Sequence, residues 1–180
     1  MSFGYIVEKK IAASDVDALN ANAVTTGTTN VDGGMAVALG AYDKGVYTVS
    51  LPGATANVGV WMAYNPTEHL TVVNGKYFAG LSADPRDYTN LATRPFDIFK
   101  PQVGDIIGFT AANFGSNQVP DATTNKYVAT AADGLWVAGA SSISAGKMAL
   151  TCLAVENLPF PQAGIGLDYQ ALYVCVVTAN

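Results

Sequence analysis

The chain is poor in the residues that do chemistry: it has one histidine, two cysteines, nine basic and fourteen acidic residues among 180. With a single imidazole, His69, no Ser-His-Asp or Cys-His arrangement can be built on spacing. Basic residues nowhere cluster beyond Lys9-Lys10, and the net charge is −5. A protein that neutralises phosphates needs a basic face, so the sequence argues against nucleic acid as a partner. No run approaches the roughly 18 uninterrupted apolar residues of a membrane helix, which argues against a membrane partner as well. The first ten residues, Met1 to Lys10, lack the basic-then-apolar order of a secretory signal, their apolar stretch being broken at Glu8.

Apolar residues are abundant instead, at 50% of the chain, with 18 glycines and a mean hydropathy of +0.24. A chain of this length can bury a core without disulfides. Its surplus apolar surface points to contacts with other protein chains, hence to an oligomer or an assembly. Cys152 and Cys175 both lie in apolar, strand-like runs. They can face one another on neighbouring strands, and without an export signal they read as reduced core thiols.

From Met35 onward the pattern is one of strands separated by turn residues. The expected strands are Met35 to Leu39, Gly45 to Leu51, Val58 to Tyr64, Leu70 to Val73, Lys76 to Phe78, Ile106 to Thr110, Tyr127 to Thr130, Leu135 to Val137, Lys147 to Val155 and Ala171 to Thr178. In the second, Tyr47, Val49 and Leu51 alternate with smaller residues and should share the buried face. Asn74-Gly75 predicts a type I′ hairpin, because that turn needs positive φ at both central positions. Ala131-Ala-Asp-Gly134 is a second tight turn, and Asp32-Gly33-Gly34 a third turn signal. No segment holds a helical period over three turns, and no exact repeat is present. About nine short, mainly antiparallel strands predict an all-β protein, barrel-like or a sandwich. Residues 1–34 read as a loop-rich N-terminal arm, despite a helix-capping pattern at Ser14-Asp-Val-Asp17. Residues 35–180 form the β-domain, with a possible break between two packed lobes near 80–97 around Asp84-Pro85-Arg86-Asp87.

Candidate sites are few, and each has a plain alternative. His69 beside Glu68 reads as a surface or strand-end residue. Asp84, Asp87 and Asp97 would be the members of a carboxylate site for a hard cation. The alternation and central glycine of a calcium loop are missing, so Asp84-Pro85 reads as a turn, with Arg86 free to pair with Asp87 or with a partner surface. Asp15 and Asp17 read as a cap or a solvated segment. Gly164-Ile-Gly166 lacks the third glycine, the Lys-Ser/Thr and the following helix of a nucleotide loop. Trp61, Trp136 and nine tyrosines are able to stack on sugars, but at alternating strand positions they read as core. No catalytic, cofactor-binding or metal-binding residue is assigned.

The order of the motifs carries more than any one of them. Asp32-Gly-Gly, Tyr47-Thr-Val-Ser, the stretch from Arg94 to Asp97, Lys100-Pro-Gln-Val-Gly-Asp-Ile-Ile-Gly-Phe-Thr110, Asn125-Lys-Tyr-Val-Ala-Thr-Ala-Ala-Asp-Gly-Leu-Trp136 and Tyr173-Val-Cys-Val-Val-Thr-Ala-Asn180 together resemble the capsid decoration, or cement, proteins of tailed bacteriophages, over residues 30–180. The resemblance implies a non-enzymatic virion protein, made in the host cytoplasm, that binds the capsid exterior and bridges major capsid subunits. It also implies self-association, with a trimer favoured by the three-fold sites of a capsid lattice. Other expectations are a tail or fibre component, the major shell protein, a carbohydrate-binding module using Tyr64, Tyr77 or Trp61, and an enzyme built on Asp84, Asp87, Asp97 and His69.

Overall fold

A computed structural model describes residues 3–53, 59–92, 94–115, 118–142, 148–162 and 166–180. Val58 and Lys147, expected to open two strands, and Gly164 lie outside the described residues. The protein is all-β. In chain order its strands are β1 (Ile6–Lys10), β2 (Asn20–Thr25), β3 (Ala36–Asp43), β4 (Val46–Ser50), β5 (Trp61–Ala63), β6 (Leu70–Val73), β7 (Lys76–Ala79), β8 (Phe96–Phe99), β9 (Ile106–Thr110), β10 (Tyr127–Thr130), β11 (Trp136–Gly139), β12 (Ala149–Gln162) and β13 (Gly166–Ala179).

These strands make two bodies and a satellite. Strands β2, β4, β3, β5 and β8 close into a five-stranded barrel, in which only the β2–β4 pair is parallel. A six-stranded sheet runs β1-β9-β13-β12-β10-β11, and β6 pairs only with β7. One core joins barrel and sheet: Ala36, Val60, Met62 and Phe99 from the barrel side pack with Ile107, Phe109, Trp136, Met148 and Leu150. Full burial of a side chain such as Phe99 or Phe109 contributes about 1.5–3 kcal/mol. The barrel strands carry a second cluster, in which Ala23, Ala63, Val37 and Val49 pack with the larger Met35, Phe96 and Ile98. A barrel of five strands is too narrow for many large side chains.

The predicted hairpins form where expected. Asn74 and Gly75 have φ of 51° and 73° and join β6 to β7. Gly134, at φ +80°, closes the β10–β11 hairpin. In β4, Val49 is buried while Tyr47 is only half-buried and packs on Tyr42 with ring centroids 4.8 Å apart.

One sequence expectation needs correction. Residues 1–34, read as an arm, contain two strands and several buried residues. Ile6 of β1 and Ala23 of β2 are both buried, and β2 closes the barrel between β4 and β8. The signal was weak because β2 alternates Asn20 and Asn22 with Ala21 and Ala23, giving the right period with almost no hydrophobic contrast. Within the 80–97 stretch, where a break between two packed lobes was expected, Arg86, Tyr88, Thr89, Asn90 and Phe96 are buried while Leu81 is exposed. The chain passes from the sheet to the barrel between β1 and β2, and back to the sheet at 100–105, between β8 and β9.

Asp32-Gly33-Gly34 ties these parts together. Asp32 accepts from the Gly4 amide at 3.0 Å and from the Thr89 hydroxyl at 2.7 Å. The Gly33 carbonyl accepts from Asn113 Nδ2 at 2.6 Å, and the Gly34 carbonyl from Trp136 Nε1 at 2.7 Å. Gly34 sits at φ +84°, and a Cβ there would stand 2.3 Å from Ile6 Cγ2 and 2.8 Å from Asn113 Nδ2. Gly45 is also left-handed, at φ +92°, but has nothing within 4 Å of its would-be Cβ. Gly34→Ala should therefore cost at least about 2 kcal/mol, through backbone strain plus overpacking, and Gly45→Ala about 1 kcal/mol through strain alone. Urea unfolding midpoints of the two variants check this, and equal losses would remove the collision from the account.

Candidate functional site

The residues singled out as chemical candidates do not come together. His69 stacks on Tyr88 with ring centroids 4.5 Å apart and planes 6° apart. Glu68, its neighbour, bonds Arg94 at 2.7 Å. Asp87 accepts from Ser82 Oγ, and Asp97 lies on the outer face of the barrel. Asp15 and Asp17 are exposed at a short turn before β2. Among the described residues no group of three His, Cys, Asp or Glu is placed to hold a metal ion, and no helix is long and apolar enough to cross a membrane. Cys152 and Cys175 are cross-strand partners in β12 and β13, both buried and both free thiols. The hydrogen bond between them and burial hold the Cys175 thiol above its ordinary value.

Asp84 belongs to a buried ion pair. Its carboxylate caps the turn at Pro85–Asp87 by accepting the Arg86 amide at 2.9 Å, and it also accepts from Arg86 Nε at 2.9 Å and Nη2 at 2.5 Å. The same guanidinium reaches Asp168 of β13 at 3.1 Å and lies 4.2 Å over the ring of Phe160 in β12. Phe160 and Asp168 are direct cross-strand partners. Arg86 is thus neither paired with Asp87 nor free for a partner. It clamps the far half of the β12–β13 ribbon onto the body.

That ribbon extends past its neighbours in the sheet. β10 pairs with β12 only at Ala149 to Thr151, and β9 with β13 only from Leu172 to Val176. Beyond those points one face of the ribbon is held down by Phe160 and Asp168. The other carries Val155, Pro159 and Pro161 of β12 beside Leu167 and Tyr169 of β13, with Pro159 paired to Tyr169 and Pro161 to Leu167. Tyr169 is 65% exposed and Leu167 58%. The β6–β7 hairpin is the second apolar projection, with Val72, Val73, Tyr77 and Phe78 all exposed.

Two concave surfaces lie beside these projections. A groove of about 530 Å³ lies between β1, β2, β8 and the Tyr64–Thr67 segment, and Tyr64 lines it. A second, of about 470 Å³, runs under the β6–β7 hairpin beside Tyr77, Phe3 and Leu91. Trp136 is fully buried and offers no stacking surface, whereas Trp61 and Tyr64 are both half-buried against core clusters and Tyr77 is exposed. The ribbon face and the Tyr64 groove escaped the sequence reading. Their residues alternate by strand register across β12–β13 and β2–β8, which no local pattern displays.

Comparison with protein-family models, with curated proteins and with solved structures finds no match.

The ion pair has a defined pH signature. Burial alone would raise the Asp84 carboxyl, but the hydrogen bonds and charge of Arg86 outweigh it and hold the group below its usual range. A lowered carboxylate contributes stability above its unfolded value, near pH 4, and that contribution is lost as pH falls through the folded value. Arg86→Met should cost about 3–5 kcal/mol at neutral pH, because Asp84 is left buried and unpaired. The deficit should narrow as acid protonates Asp84. Denaturant titrations of both proteins across the acid range check the narrowing, and a deficit independent of pH would place the loss in packing over Phe160.

Proposed function

We propose that this chain is a virion structural protein that binds the outer surface of a tailed-phage capsid and stabilises it by bridging major capsid subunits. The observation that carries the reading is the outward face of the β12–β13 ribbon: Pro159, Pro161, Leu167 and Tyr169 form an exposed apolar surface, with Val155 beyond Asn157 on the same face, and Arg86 holds the ribbon from below. Exposed apolar area of this kind on a folded body marks a protein contact. Pro159 and Pro161 lack amide hydrogens along the strand edge, which disfavours partners that add as a further strand. The face, not the edge, is the docking surface.

The shell-binding role needs no active site. A protein that binds the closed lattice better than separated subunits lowers the free energy of the lattice by mass action, and many repeated weak contacts add through multivalency. Self-association, with a trimer favoured, would place several ribbons around one lattice axis. The β6–β7 hairpin is the second candidate contact on the same body.

The test is co-sedimentation of the purified protein with phage shells stripped of it, followed by heating of bare and decorated shells. Saturable binding with a higher disruption temperature is expected. A Leu167→Ser/Tyr169→Ser double variant, altered only at exposed positions, should keep its own melting temperature and lose binding at least about tenfold. Absence of binding by the unaltered protein overturns the proposal, and full binding by the double variant moves the contact away from the ribbon.

A further inference from the structure

The groove beside Tyr64 is built unlike the ribbon and hairpin: its walls are polar, and part of that polarity is unused. Asn20 and Asn65 are spent on the protein. Asn20 donates to the Ala13 carbonyl at 2.7 Å and accepts the Tyr64 hydroxyl at 2.8 Å, while Asn65 bonds both the amide and the carbonyl of Ile6, at 2.8 and 2.7 Å. Glu8, Asn22, Thr67 and Asp97, by contrast, have no side-chain hydrogen bond or ion pair to another described residue. Strand register fixes the positions of Glu8, Asn22 and Asp97, while Thr67 lies in the segment between β5 and β6. Asn22 in β2 and Asp97 in β8 are direct cross-strand partners on the outer face of the barrel.

Tyr64 forms an aromatic wall beside them. Its amide donates to the Asp97 carbonyl and its own carbonyl accepts from Asn90 Nδ2, both at 3.0 Å, and its ring packs on Phe99 at 4.6 Å. Two carboxylates without a cation make the groove negative. The Tyr64 hydroxyl registers this, its proton being held up to about 12 by burial and by Glu8, Asp97 and Asp105. Surrounding protein also raises the Glu8 carboxyl above its usual range.

We propose that this groove binds a saccharide bearing a protonated amine. Its volume falls within the roughly 300–1,000 Å³ of small-molecule sites. The amine would pair with Asp97 and Glu8, the carboxylates that lack a cation. Hydroxyls would bond Asn22 and Thr67, whose neutral groups a simple polyamine leaves idle, and an apolar sugar face would lie along Tyr64. An acidic sugar is rejected by the charge of the walls. The inference does not rest on the capsid reading, because it concerns the isolated chain and a surface other than the ribbon.

The probe is a fully deacetylated glucosamine oligosaccharide, titrated calorimetrically into the isolated protein at mildly acidic pH, with the N-acetylated oligomer, a galacturonic acid oligomer and putrescine as comparisons. Saturable binding of the amino sugar is expected, weakened about tenfold or more by Asp97→Asn and by Asn22→Ala, and unchanged by Tyr77→Ala in the other groove. The substituted positions are exposed, and unaltered melting temperatures would verify folding. The N-acetylated oligomer should bind several-fold more weakly and the galacturonic acid oligomer not at all. Absence of amino-sugar binding overturns the proposal, as does equal binding of the N-acetylated oligomer, equal binding of putrescine, or indifference to Asp97→Asn.

Discussion

The fold depends on one crowded turn. At Asp32-Gly33-Gly34 the chain approaches the N-terminal strand, the barrel and the sheet so closely that side chains are excluded at both glycines: a Cβ on Gly33 would lie 2.3 Å from Asn65 Oδ1. The polar groups brought in by that approach are all satisfied. Asn113 carries most of the load, donating to Gly33 while its oxygen accepts the amides of Tyr5 and Thr110. Trp136 takes the Gly34 carbonyl and fills the core with its ring. A buried polar network of this kind stabilises only when it is complete. Here the described residues leave no buried side-chain nitrogen or oxygen without a partner. Barrel and sheet, which already share one hydrophobic core, are thereby fixed to each other without a disulfide, and with few charges.

Much of the architecture was legible in local sequence because it is set by turn chemistry. Asn74, Gly75 and Gly134 adopt positive φ, a backbone sign that few other residue types tolerate. The β3–β4 turn was less visible, because Lys44 adopts φ 49° without belonging to the residue types that favour it. Strands β1, β2 and β8 were missed for a different reason. Each is short and is held by partners remote in sequence: β1 by β9, β2 by β4 and β8, and β8 by β2 and β5. The full length of β12 was hidden by Pro159 and Pro161, which locally read as breakers but sit on an exposed ribbon edge where no amide is needed.

The candidate surfaces were harder to read than the fold, and the Asp84-Pro85-Arg86-Asp87 run illustrates why. Its composition suggested a turn, which it is, but the partner that gives Arg86 its role is Asp168, 82 residues away. A local reading pairs Arg86 with its neighbours. The folded chain uses it to hold a β-ribbon whose opposite face is apolar. Of the aromatic residues, Tyr64 was visible as a candidate, but Asn22 and Asp97 acquire meaning only once β2 and β8 pair.

Scarcity of charge then becomes a way of keeping surfaces distinct. A body with so few ionic groups cannot separate its contacts by broad electrostatic fields, so it separates them by shape and edge chemistry. The ribbon offers an apolar face guarded by prolines along its edge. The Tyr64 groove offers the reverse, a negative cleft with unused hydrogen-bonding groups. An apolar protein surface that seats on the ribbon gains nothing in the groove, where it would bury Glu8 and Asp97 without a counter-charge at a cost of several kcal/mol. A small cationic ligand gains little on the ribbon, which lacks a carboxylate on its outward face. One chain can therefore meet two chemically different partners without either competing for the other's site.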